Sequence, residues 1–108
     1  MGFTVFLTKD AEVDLNELYD YILTNDSSGK AEYVFQQIEK NLLSLSEFPE
    51  RGAHPKELLK LGVREYREIF FKPYRIIYRI INKNVYVLLI ADGRRDMQSI
   101  LQRRLLET

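Results

Sequence analysis

Tyr74-Arg75-Ile76-Ile77-Tyr78-Arg79-Ile80-Ile81, then Asn82-Lys83-Asn84, then Val85-Tyr86-Val87-Leu88-Leu89-Ile90-Ala91, is the stretch that decides the fold. A strand sends successive side chains to opposite faces, so Arg75, Ile77, Arg79 and Ile81 share one face and Tyr74, Ile76, Tyr78 and Ile80 the other. Asn82-Lys83-Asn84 predicts a hairpin connection. Val85 to Ala91 is nearly all apolar, which predicts a strand buried on both faces. Upstream, Val63 to Phe71 also reads as a strand, and Lys72-Pro73 starts a turn. Three antiparallel strands follow. Phe3 to Leu7 is short, apolar and rich in Val and Phe, and predicts a further strand beside Val85–Ala91.

Between the first strand and the other three the period is helical. Ala11, Leu15, Leu18, Tyr19 and Ile22 form one stripe, and Ala31, Val34, Phe35, Ile38, Leu42 and Leu45 a second. Thr8 caps the first helix, with Asp10 and Glu12 in its first turn, and it ends near Thr24. Asn25-Asp26-Ser27-Ser28-Gly29 is a turn that also supplies caps for the second. Pro49 disfavours helix at Phe48 and ends it. Two helices joined by so few polar residues are antiparallel neighbours. Glu50 to Gly62 reads as a loop with a short helical turn at Leu58-Leu59. Asp96 caps a last helix carrying Met97, Ile100, Leu101 and Leu105. The expected fold is α+β: N-terminal strand, antiparallel helical hairpin, three-stranded antiparallel sheet and C-terminal helix, in a two-layer sandwich. The helical hairpin should cover the tyrosine face and leave the arginine face only partly covered.

The chain has 108 residues, 45% hydrophobic and 30% charged. These values predict a single globular domain spanning 1–108 and exclude a disordered chain. The absence of cysteine excludes disulfide scaffolds, thiolate zinc sites and cysteine nucleophiles, and it points to a cytoplasmic home. No apolar run is long enough to span a bilayer, so no membrane partner is expected. Met1-Gly2-Phe3-Thr4-Val5 lacks the features of a signal peptide. Net charge is zero but unevenly spread: residues 1–50 hold 3 basic and 10 acidic side chains, a balance of −7, and residues 51–108 hold 13 and 6, a balance of +7.

No HExxH motif, glycine-rich phosphate loop or paired acidic metal motif occurs, so neither metal nor other cofactor is expected. His54, the lone histidine, has no sequence-local partner for a triad or metal site. The arginines carry the signal. Arg64, Arg67, Arg75 and Arg79 fall on two neighbouring strands, and Arg94 and Arg95 follow the third. Guanidinium groups among apolar side chains on a half-open sheet face make a docking surface. Alternatively they pair internally with Glu65, Glu68 and the acidic helices. Tyr66, Tyr74, Tyr78 and Tyr86 are explained by cross-strand packing; base stacking would need them exposed beside the arginines.

The order of elements, opening on Leu7-Thr8-Lys9-Asp10-Ala11-Glu12-Val13-Asp14-Leu15, resembles the ParE/RelE superfamily of toxins from bacterial toxin–antitoxin modules. Leu45-Ser46-Glu47-Phe48-Pro49-Glu50-Arg51-Gly52, Val63-Arg64-Glu65-Tyr66-Arg67, Pro73-Tyr74-Arg75-Ile76-Ile77-Tyr78 and Gly93-Arg94-Arg95-Asp96, followed by Arg104-Leu105, continue the resemblance in order along almost the whole chain. They look most like the ParE, plasmid-stabilisation branch. The resemblance implies a type II toxin that inhibits DNA gyrase by binding and is neutralised by a cognate, ParD-like antitoxin. That antitoxin should be acidic where it meets Arg64, Arg67 and Arg75, and it could add a strand to the edge formed by Val63–Phe71.

The RelE branch instead cuts mRNA on the ribosome. Arg75 and Arg95 match two of its arginines, but Arg67 and Ile69 stand near its strand lysines and Leu101 near its C-terminal tyrosine. Arginine is a poor proton donor or acceptor, so a phosphate clamp survives without an evident acid–base pair, unless Glu68 serves as an unusual base. No catalytic residue is assigned, and no sequence-specific nucleic-acid binding is expected. A ribosome-dependent endoribonuclease and a non-toxic, antitoxin-binding relic are the alternatives. Asp92 stands where many relatives carry a histidine before Gly-Arg-Arg.

Overall fold

The computed structural model describes residues 2–106. Its elements are β1 (Thr4–Leu7), α1 (Lys9–Asn25), α2 (Ser28–Ser44), α3 (Lys56–Leu59), β2 (Tyr66–Phe71), β3 (Tyr74–Ile81), β4 (Asn84–Asp92) and α4 (Met97–Leu101), which runs into a wider π-type turn over Gln102–Leu106. The strands form one sheet ordered β1-β4-β3-β2. β1 lies parallel to β4, and the other pairs are antiparallel.

The caps act as the sequence predicts. The Thr8 hydroxyl accepts from the Ala11 amide at 3.2 Å, Ser27 from Lys30 at 3.1 Å and Asp96 from Ser99 at 3.2 Å. Each satisfies an amide that the first helical turn leaves without a partner. The α1 and α2 stripes pack Ala11, Leu15, Ala31, Val34 and Ile38 onto Ile76, Tyr78, Val85 and Val87 of the sheet. The opposite sheet face carries a second core, in which Leu58 of α3 and Met97, Ile100 and Leu101 of α4 cover Ile77, Leu89 and Ala91. This face is therefore clad at the Arg75 end and bare at the end where β3 turns into β4.

Two expectations change. The strand predicted from Val63 begins at Tyr66, so Arg64 lies before it. The reason is the end of α3: Gly62, at φ +79°, passes its amide to the Leu59 carbonyl, and Val63 passes its own to Leu58. That is a Schellman closure, which only a residue tolerant of positive φ makes at no steric cost. The edge offered by β2 is also partly occupied. Ala53 exchanges backbone bonds with Glu68, and His54 Nδ1 lies 3.0 Å from the Tyr66 carbonyl, to which it can only donate. His54 is thus a half-buried clasp between loop and strand.

A register shift in β3–β4 places Ile77 opposite Leu89 and Tyr78 opposite Val87, leaving Leu88 as the extra residue of a bulge. β1 pairs with β4 only as far as Leu7 and Val87, so β4 runs on past its neighbour with an unpaired edge. Two side chains complete it: Asp14 Oδ2 accepts from the Ile90 amide at 3.0 Å, and Arg104 Nη1 donates to the Leu88 carbonyl at 2.8 Å. The two also pair with each other at 2.9 Å and 3.0 Å, so together they stand in for a missing strand.

Candidate functional site

The six arginines do not form one cluster. Arg75 is buried, 8% exposed, in the clad part of the sheet face. Its Nη1 and Nη2 donate to the two oxygens of Glu57, each at 2.8 Å, and its Nε donates to Glu68 Oε1 at 2.8 Å. The expectation that Arg75 lies on a half-open surface is therefore corrected: its donors face inward because α3 brings Glu57 over the strand. The two carboxylates respond in opposite directions. Hydrogen bonds from Arg75 hold Glu57 down to about 2. Burial pushes Glu68 up, and Arg75 only partly opposes it.

A pH dependence follows. The folded form of Glu57 is more acidic than the unfolded one, so its stabilisation is present above the ordinary carboxylate value of 4.5 and is lost as pH falls from there toward 2. Glu68 has the reverse sign: its charged form opposes folding, and that cost is relieved as pH falls through its raised folded value. Thermal melts across pH are expected to show no loss on mild acidification and a steep fall below about 4.5. Glu57→Gln should flatten that acid limb, while Glu68→Gln should leave it in place.

Arg67 donates to the Glu50 and Gly52 carbonyls at 3.2 Å and 2.9 Å, bracing the loop after α2. Arg94 is clamped by Asp92: its Nε and Nη2 donate to the carboxylate at 2.9 Å and 2.6 Å, and its amide donates at 2.9 Å. These bonds hold the Asp92 carboxyl below the usual range. Asp92 thus fixes the direction of the first arginine after Gly93. Arg95 is exposed, and its side chain has no hydrogen-bond partner among the described residues. It borders a cleft of about 450 Å³ between α1 and the β4 end, whose walls include Tyr21, Tyr74 and Glu17. Arg79 lies over the Tyr66 ring at 5.9 Å and is half-buried, while Arg64 is exposed.

Sequence reasoning missed Glu57 and the Asp14–Arg104 pair. Asp14 did carry a signal, since it stands three residues after Ala11 and four before Leu18, on the apolar stripe of α1. A carboxylate at such a position needs a partner. Glu57 carried none, because its loop shows no period. Among the described residues, no group of three or more His, Asp or Glu could hold a metal ion, and no helix is long and apolar enough to cross a membrane.

A β-strand, a helical hairpin, three antiparallel strands and a C-terminal helix make up the α+β fold shared with the ParE and RelE structures below. Residues 5–97 match the family model of the ParE toxin of type II toxin–antitoxin system, parDE, and the chain belongs to that family. It is 27% identical to toxin ParE3 of Caulobacter vibrioides over 100 residues, covering 93% of this chain and 96% of that one. Among solved structures it resembles the chromosomal ParDE toxin–antitoxin system of P. aeruginosa, with a TM-score of 0.70 and 24% identity over 83% of this chain and 95% of that one. A double mutant of E. coli toxin RelE in the free state gives a TM-score of 0.64 at 18% identity, over 97% of this chain and 100% of that one. The RelBE2 toxin–antitoxin complex of Mycobacterium tuberculosis gives 0.63 at 21%, over 85% and 99%. These three likenesses concern the fold.

Proposed function

We propose that this ParE-family toxin acts in the cytoplasm as a single domain, that it inhibits DNA gyrase by holding it, and that a cognate, ParD-like antitoxin neutralises it. The observation that carries the binding reading is the state of Arg75. The position that resembles a phosphate-binding arginine of the ribonuclease branch has its guanidinium hydrogen-bonded to Glu57 and Glu68. A phosphate would have to displace two carboxylates there, and Glu68 is held against Arg75, which removes it as a free base. The two arginines after Gly93 supply positive charge and no proton relay.

The antitoxin reading is supported by the cleft beside α1. Tyr21 is 65% exposed there, next to Arg95, which suits a segment combining an apolar anchor with acidic residues and ordering as it binds. Since Arg75 is buried, the arginines available to that segment are Arg94 and Arg95, both of which line the cleft.

Purified toxin added to DNA gyrase is expected to abolish supercoiling of relaxed plasmid, and premixing with the antitoxin should restore it. Normal supercoiling at a large molar excess of toxin would overturn the gyrase target. Mapping of mRNA 5′ ends after expression is expected to show no codon-positioned cuts. Cuts that vanish in Arg95→Ala would favour the ribonuclease.

A further inference from the structure

One row of side chains crosses all four strands on the second sheet face, open at β1 and running into the second core at Tyr66 of β2, which is 9% exposed. Phe6 of β1 pairs with Tyr86 of β4, Tyr86 with Arg79 of β3, and Arg79 with Tyr66 of β2. The first two rings stack, with centroids 5.5 Å apart and planes 18° apart. Arg79 then lies over the fourth ring at 5.9 Å. Phe6 is 43% exposed, and Ile81, on the same face of β3 two residues beyond Arg79, is 41% exposed. α3 and α4 cover the other end of this face and leave this one open.

We propose that this row is the surface by which the toxin holds its target, and that the target presents an acidic protein surface with an apolar side chain at its centre. The proposal rests on the binding-toxin reading and locates it. Charge supplies the first argument. Arg51, Arg67, Arg75, Arg94 and Arg104 each donate to an oxygen within the chain. Arg79 has no carboxylate or hydrogen-bond acceptor among the described residues, and its guanidinium lies over the Tyr66 ring. Arg64, exposed and leading into β2, stands at the same end of the sheet, while Lys83 of the β3–β4 turn lies over the Phe3 ring on the helix-packed face. An anionic partner is the complement of such a surface.

Composition supplies the second argument, since Phe, Tyr and Arg flanked by an aliphatic residue is the makeup of interface centres. The ring geometry favours protein over single-stranded nucleic acid. Phe6 and Tyr86 already use their facing surfaces on each other, and the whole chain is electrically neutral, whereas base-stacking grooves are basic and leave ring faces free.

The test uses the full-length chain expressed without antitoxin, with growth arrest read against expression level and the proteins checked by thermal melting. Arg79→Glu and Ile81→Glu are each expected to raise the toxin level needed for arrest about tenfold or more, with melting temperatures close to the parent's. Lys40→Glu on α2, which makes the same change in net charge as Arg79→Glu, should leave arrest intact. Arrest at the parent's level in both row variants would overturn the proposal, as would equal weakening by Lys40→Glu. Failure of the unaltered chain to slow growth would overturn it together with the reading beneath it. If gyrase is unaffected in vitro while arrest still depends on Arg79 and Ile81, the gyrase target falls and the surface stands. If gyrase is inhibited equally by the parent and both variants, the surface falls and the target stands. Binding of a single-stranded oligonucleotide by the parent and not by Arg79→Glu would overturn the assignment to a protein partner.

Discussion

Arg75→Ala is expected to destabilise the toxin by about 3–5 kcal/mol, the range seen when one member of a buried ion cluster is removed. The side chains of Glu57 and Glu68 are only 12% and 8% exposed, and without the guanidinium two carboxylates face each other out of reach of bulk water. A domain of this size has about 5–15 kcal/mol in all, so the variant should be largely unfolded on mild warming. Arg75→Lys should recover little, because one ammonium cannot span two carboxylates as the planar guanidinium does. Arg75→Met combined with Glu57→Gln and Glu68→Gln should recover much more, since it removes the stranded charges along with their partner. Denaturant titration decides the matter. A midpoint for Arg75→Ala near the parent's would show that the cluster does not hold α3 to the sheet.

The second large effect is expected at Gly52. A Cβ there would lie 2.6 Å from the Glu68 carbonyl oxygen and 2.6 Å from the Tyr78 hydroxyl. The first is backbone, held in place by the Ala53–Glu68 pairing. The second belongs to a fully buried side chain that donates to the Pro49 carbonyl at 2.6 Å and accepts from the Gly52 amide at 3.1 Å. Gly52→Ala therefore overpacks the site and breaks a buried hydrogen bond, at a cost of about 2–4 kcal/mol. Tyr78→Phe alone should cost about 1–3 kcal/mol, by leaving the Pro49 carbonyl and the Gly52 amide without their partner. Combined, the two should cost less than their sum, because removing the hydroxyl also removes one of the two clashes. Strict additivity in denaturant titration would refute this coupling.

Much of the architecture was legible in the residues because two periods divide the chain cleanly. The α1 and α2 stripes repeat at helical spacing, β3 alternates, and Thr8, Ser27 and Asp96 punctuate the elements. The placement of β1 beside β4 followed from the apolarity of Val85–Ala91; its parallel direction was not read from the residues. The start of β2 was not legible, since Val63 suits a strand and only the closure of α3 at Gly62 takes it away. Nor was the bulge at Leu88, because a continuous apolar run hides the point at which register slips. For the site, the sequence identified the arginines and not their partners. Arg75 and Arg79 look alike four residues apart on one face. Their environments diverge because a four-residue helix from a distant loop carries Glu57 over one of them and stops short of the other.

The place of β4 in the sheet also sets when the molecule can take shape. β4 separates β1 from β3, so the N-terminal strand has no hydrogen-bonding neighbour until a segment near the other end of the chain arrives. The pair that finishes its border joins residue 14 to residue 104. A nascent chain cannot bring those positions together until residue 104 has left the ribosome, and the aromatic–guanidinium row needs the same strand. The N-terminal strand thus waits without its sheet neighbour while the intervening chain is made, and the proposed binding row forms only once β4 has joined it.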